Sequence, residues 1–181
     1  MLQNKLRYFL LLCLTLLTSC GFHPQGQLQL SPQLHRIFVQ APDQYGYLVR
    51  SLQQSLKTSN VPLVSSSTEA DTLLVILQDA TSQNLLSVNG TQQTRQYNLI
   101  VTVIFQITDT KGRVIVTPQT LSESRVITIQ SNQILGSSNE ATLYYQQMRR
   151  VLANAIMNRL ASKEITRMID TSFYPTSGQK T

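Results

Sequence analysis

The sequence predicts an α+β fold, two helices packed on one face of a mostly antiparallel four-stranded sheet in the chain order β-α-β-β-β-α. Three observations carry that expectation. Tyr97, Leu99, Val101, Val103, Phe105 and Ile107 alternate without interruption against the more mixed Asn98, Ile100, Thr102, Ile104 and Gln106, the period of a strand with one buried face. Turn-forming residues stand on both sides of that run, Asn89-Gly90 before it and Asp109-Thr110-Lys111-Gly112 after it. Towards the end of the chain Tyr145, Met148, Leu152, Ile156 and Leu160 recur at helical spacing and form one apolar stripe.

The chain opens with a segment of another kind. Met1 to Tyr8 carries Lys5 and Arg7, Phe9 to Leu17 is almost wholly apolar, and small polar residues lead into Cys20, so residues 1–19 read as a cleaved export signal. The apolar run falls short of the roughly 20 residues that span a bilayer. Leu17-Thr18-Ser19-Cys20 resembles the bacterial lipobox, in which the cysteine is acylated and becomes the new N-terminus. The only other cysteine, Cys13, lies in the leader, so Cys20 has no disulfide partner in the mature chain and lipidation explains it best. At about 0.8 kcal/mol per buried methylene, two or three acyl chains anchor permanently. Gly21 rather than Asp after the cysteine implies, by resemblance to bacterial lipoproteins, passage to the outer membrane. Residues 20–33, Gln-rich with Pro24, Gly26 and Pro32, read as a lipidated tether.

A single α+β domain is expected over residues 34–166. Leu34 to Ala41 reads as its first strand, with Ile37, Phe38 and Val39 at the centre. Pro42-Asp43 then offers a stop and an N-cap, Val49, Leu52 and Leu56 a helical face, and Asn60 a left-handed exit. Leu73-Leu74-Val75-Ile76-Leu77 is short and β-branched enough for a strand buried on both faces, extended on to Val88. Asn89-Gly90 predicts a type I′ hairpin turn into the alternating strand. The strand from Val114 to Gln130 contains Pro118, which cannot donate to a ladder and therefore marks a bulge or a sheet edge. Gly136 to Asn139 reads as a loop in which Ser137 and Glu140 form a capping box for the last helix, running to about Lys163. Residues 167–181 are polar and punctuated by Gly and Pro, a flexible tail.

Composition excludes several classes. With 41% hydrophobic residues, 13% charged and no Trp, the chain is neither collagenous, acidic-disordered nor a multi-span membrane protein. Asn, Gln, Ser and Thr fill 67 of the 181 positions, so neutral polar groups wet the surface. Loss of Lys5 and Arg7 with the leader lowers the net charge from +6 to +4, too mild to argue for nucleic acid. A catalytic triad needs histidine and a zinc site needs histidine or thiolate; only His23 and His35 exist, far apart and without adjacent carboxylates, and no cysteine remains for thiolate ligation. Glu69 and Asp71, the one close acidic pair, lie in a polar loop where general-acid chemistry has no burial to draw on. No enzyme activity, metal or cofactor is therefore expected. Arg95, with Gln92, Gln93 and Gln96, follows the Asn89-Gly90 turn, and a protruding tip there could meet an anionic glycolipid at roughly 1 kcal/mol per cation. Asn89, Gly90 and Arg95 are the candidate contact residues.

Cys20-Gly21-Phe22-His23 is similar to the mature start of the LPS-assembly lipoprotein family LptE. So are the Asn89-Gly90 turn followed by Tyr97-Asn98-Leu99-Ile100-Val101-Thr102-Val103 and the Asn139-Glu140 opening of the last helix. The resemblance covers nearly the whole mature chain. It implies a non-enzymatic outer-membrane component that plugs the large β-barrel LptD, supports the assembly of that barrel and contacts lipopolysaccharide. One departure matters: the basic residues that the family associates with lipopolysaccharide near the turn and the helix-start loop are replaced by Val88 and Ser137, leaving Arg95 as a neighbour. A barrel lumen is polar and wet, which suits an exterior rich in amides and hydroxyls. The competing readings are a chaperone or pilot of another outer-membrane assembly and a periplasmic glycolipid- or peptidoglycan-binding module, which copurification separates.

Overall fold

The computed structural model describes residues 30–31, 34, 36–88, 90, 94–130 and 134–173, without the side chains of Gln130, 134–139 and Phe173. Strand β1 (Ile37–Gln40), helix α1 (Tyr47–Thr58), strands β2 (Thr72–Val88), β3 (Thr94–Asp109) and β4 (Val114–Gln130), and helices α2 (Ile134–Leu160) and α3 (Lys163–Phe173) follow one another. The sheet has the order β1-β2-β3-β4. The α1 crossover makes β1 parallel to β2, whereas β2, β3 and β4 form an antiparallel meander. This is the α+β class expected, with a third helix added.

Period-two patterning sets the register. Leu99, Val101, Val103, Phe105 and Ile107 of β3 are buried, flanked by Leu74 and Ile76 of β2 and by Val116 and Ile127 of β4. The helices close over them. Leu48, Val49, Leu52 and Leu56 of α1, Met148, Leu152, Ile156 and Leu160 of α2, and Ile165 and Ile169 of α3 join one continuous core. At the end of α1, Asn60 adopts φ 56°, the left-handed exit its short amide side chain tolerates. The β3–β4 turn closes on Asp109, whose carboxylate accepts from the Lys111 amide at 2.9 Å and the Arg113 amide at 2.8 Å, while Gly112 takes φ 80°. Pro118 lies where β4 bulges, between the Phe105–Gln119 and Ile107–Val116 pairs, and β4 is also an edge strand. A missing donor is tolerated in both situations.

Five expectations need correction. The tail from Arg167 does not begin as a free segment: α3 runs to Phe173, and Ile169 is buried, because Ile165, Met168 and Ile169 recur at helical spacing over the open end of the sheet. Residues 174–181 lie outside the described residues. Gly136 to Asn139 is not a loop, since α2 already begins at Ile134 and carries Ser137 inside the helix. Asp43 does not cap α1; its carboxylate accepts from the Tyr45 amide at 3.1 Å in the turn ahead, and Gly46 occupies the N-cap position. Leu77 is exposed rather than buried, because the register shift between Ile76 and Gln78 makes it the extra residue of a bulge. Asn89-Gly90 is not the centre of a two-residue turn, because Val88 pairs with Arg95 rather than with Thr91; Asn89 and residues 91–93 lie outside the described residues. Register here follows the buried face of β3 and two bulges in β2.

Candidate functional site

The distal end of the sheet, where β2 leaves the core and α2 begins, is where the sequence placed its candidate contacts. Core burial on β2 stops at Ile76, and every residue from Thr81 to Val88 is exposed. The second bulge of β2, between Leu85 and Ser87, breaks the alternation and turns two consecutive leucines outward. Leu85 and Leu86 are each 54% exposed, and Val88 joins them. Arg95 of β3 lies opposite Val88 of β2 and Ile129 of β4, exposed to solvent. Beside it the Ser87 hydroxyl donates to the Gln96 side-chain carbonyl at 3.1 Å. The distal end therefore pairs an apolar patch with one cation and neutral amides.

A short polar layer joins this end to the core. Tyr145 of α2 donates its hydroxyl to the Ser82 carbonyl at 3.3 Å, and burial of the phenol raises its pKa. Arg149 grips both carboxylate oxygens of Asp79 at 3.0 and 2.8 Å, tying α2 to β2 where the strand leaves the core. On the β4 side Arg125 donates to Gln147 at 2.7 Å and lies 5.2 Å from the centre of the Tyr144 ring, and Tyr144 donates to Glu140 at 3.2 Å. These contacts brace the distal end and carry no reacting group. Among the described residues no three of His, Cys, Asp and Glu gather as metal ligands, and no helix is long and apolar enough to cross a membrane.

Among the described residues no helix covers the reverse face of the sheet. Across its centre run Ala80 and Ser82 of β2, Ile100, Thr102 and Ile104 of β3, and Thr120, Ser122 and Ser124 of β4, in register. The Thr102 and Ser122 hydroxyls stand 3.2 Å apart, and Ser122 is also 3.2 Å from the Val101 carbonyl. Small hydroxyl side chains thus surround Ile100 and Ile104 on the face that an antiparallel sheet with one packed side leaves open.

Of the predicted site residues, Gly90 and Arg95 stand at the distal end, both exposed, whereas Cys20 and Asn89 lie outside the described residues. A Cβ placed on Gly90 would meet no atom within 4 Å, so nothing described packs on it. Sequence reasoning missed Leu85, Leu86 and Val88. The adjacent Leu-Leu pair in the otherwise polar stretch Thr81 to Ser87 was the available signal.

The architecture is one that solved lipoproteins share. The crystal structure of the rare lipoprotein B from Shewanella oneidensis matches with a TM-score of 0.62 at 23% identity, covering 74% of this chain and 98% of that one. An uncharacterized lipoprotein B from Nitrosomonas europaea matches with a TM-score of 0.63 at 16% identity over 88% of this chain and 99% of that one. Those likenesses establish the fold. In sequence, the LPS-assembly lipoprotein LptE of Pectobacterium atrosepticum is 24% identical over 174 residues, 93% of this chain and 94% of that protein. The one of Photorhabdus laumondii is 26% identical over 160 residues, 88% and 87% of the two chains. The LptE family model, described as lipopolysaccharide-assembly, matches residues 34–160, most of the chain and nearly all of the described fold. The chain belongs to the LptE family.

Proposed function

We propose that this chain is an outer-membrane lipoprotein of lipopolysaccharide assembly, acylated at Cys20, whose α+β domain occupies the lumen of an LptD-like β-barrel and assists that barrel's assembly. The distal hairpin end, with Asn89, Gly90 and Arg95, contacts the barrel interior and the lipopolysaccharide passing it. The observation that carries this reading is the sheet face that no described helix covers, where Ser82, Thr102, Thr120, Ser122 and Ser124 surround Ile100 and Ile104. A lumen wall is polar and hydrated, and a plug that meets it through hydroxyls exchanges hydrogen bonds with water and wall at little desolvation cost. Membership of a family described as lipopolysaccharide-assembly, and relatives named LPS-assembly lipoprotein, agree with it. The exposed Leu85, Leu86 and Val88 beside Arg95 fit a tip that meets an amphiphile, apolar contact for acyl chains next to a cation for phosphate.

The domain's part is mechanical and electrostatic. Its core holds three long strands rigid, the anchor keeps it at the membrane, and the polar face lets a barrel close around it at little desolvation cost. Site-specific photocrosslinking from positions 89, 95 and 122 tests this. Adducts with a large outer-membrane barrel from all three are expected, with additional lipopolysaccharide adducts from 89 or 95. Adducts only with water-soluble periplasmic proteins from a folded, lipidated domain would remove the plug and leave a pilot of another assembly.

A further inference from the structure

On the outer side of the helix layer, away from the sheet, α1 and α2 leave an open groove of about 400 Å³, within the size range of small-ligand sites. Tyr47, Arg50, Ser51 and Gln54 line it from α1, Arg150 and Asn154 from α2. Two guanidinium groups converge there on one tyrosine. Arg50 lies 5.5 Å from the centre of the Tyr47 ring, and Arg150 donates to the Tyr47 hydroxyl at 2.9 Å. No carboxylate lines the groove. Four other arginines, Arg36, Arg113, Arg149 and Arg159, form ion pairs, whereas neither Arg50 nor Arg150 does so among the described residues. The nearest acids are otherwise engaged or turned to the next hollow: Asp79 is held by Arg149, and Asp43 accepts from the Tyr45 amide. Two like charges are thus held together, in a polar cleft, with nothing negative between them.

We infer that this groove binds a phosphomonoester, carried on a free sugar or on a lipid headgroup. A guanidinium presents a planar fork that matches two phosphate oxygens, and two such forks on adjacent helices can grip a doubly charged group from both sides. The Ser51 hydroxyl and the Gln54 and Asn154 amides supply further donors of the neutral kind that a sugar ring uses. Tyr47 keeps both forks from folding away onto solvent, so little side-chain entropy is lost on binding. The groove lies on the helix layer, whereas Arg95 lies at the sheet's distal end, so this site is separate from the lipopolysaccharide contact proposed above and stands or falls without it.

The test uses the full-length lipidated protein in neutral detergent, titrated calorimetrically with glucose 1-phosphate and with micelles of bisphosphorylated or dephosphorylated lipid A. Binding that requires phosphate, weakens at least tenfold in the Arg50→Gln/Arg150→Gln double variant and is unchanged in Lys111→Gln, an exposed cation of the β3–β4 turn, is the expected result. Binding of glucose 1-phosphate identifies a free phosphate as sufficient, and binding of only the phosphorylated micelle identifies a headgroup. Equal affinity in the double variant, an equal loss through Lys111→Gln alone, or no binding of either probe would overturn the proposal. Should the double variant melt early by circular dichroism, phenylglyoxal labelling of the wild type decides: ligand must protect Arg50 and Arg150, and unprotected labelling refutes the site.

Discussion

Val103 and Thr102 are adjacent in the chain and face opposite ways, Val103 fully enclosed and Thr102 half-covered with its hydroxyl near that of Ser122. Val103→Asp buries a charge with no partner, and the expected loss is several kcal/mol, a large part of the roughly 5–15 kcal/mol that holds a domain together. Thr102→Asp leaves the charge at the hydrated face and costs little. Thermal melts of the two variants check this, and equal shifts would contradict the register. Asp109 shows a finer effect. Burial pushes its carboxyl up, but the Arg113 side chain, the Arg113 and Lys111 amides and the Arg113 charge together outweigh that and hold it below the usual carboxylate range. A lowered folded-state value means that its contribution is complete above the unfolded-state value, near pH 4, and fades as pH falls through the folded one. Asp109→Asn should therefore melt below the wild type at pH 7, with the gap narrowing under pH 4 in a series of melts.

Among the elements, β3 and the C-terminal two-thirds of α2 were legible because burial imposes one period on each: alternate residues on the strand, and Met148, Leu152, Ile156 and Leu160 on the helix. The first turns of α2 were not, since Gly136, Ser137, Ser138 and Asn139 are weak helix formers that ordinarily favour caps and turns. Helix α3 was hidden for a related reason. Its apolar stripe is short, and it becomes a helix because Ile165 and Ile169 have a core to enter, a tertiary fact that local patterning does not carry. Ile169→Ala should accordingly cost about 2–5 kcal/mol, read from urea unfolding, whereas a free tail would tolerate the change. In the candidate site, Arg95 was legible as a cation beside a turn. The outward leucines were not, because the bulge between Leu85 and Ser87 arises from pairing with β3 and cannot be read from β2 alone. The Arg50–Tyr47–Arg150 cluster joins residues that only the helix packing brings together.

At the scale of the whole molecule, anchoring and reach are separate properties and should fail separately. Cys20→Ala should abolish acylation, visible as the missing acyl mass in intact-mass measurement, and release the protein from the outer membrane with its fold unchanged. Replacing Leu85 and Leu86 by Gln should instead leave membrane attachment and melting temperature intact while lowering barrel recovery in a pull-down from detergent-solubilised outer membrane. The ends of the domain have different company. Ser31 donates its hydroxyl to Asp170 of α3 at 3.1 Å, and Leu34 donates its amide to the Ser31 carbonyl, so the chain enters the fold beside the last helix, next to β1 and the start of β2. From there the 17 residues of β2, at about 3.3 Å each, run roughly 55 Å to Val88. Stiffened by β3 along that whole distance, the hairpin is a ruler whose zero is set by the entering chain, and its free end samples a depth fixed by strand length. Shortening β2 and β3 by one matched pair of residues on each would retract the tip by about 7 Å without altering its chemistry.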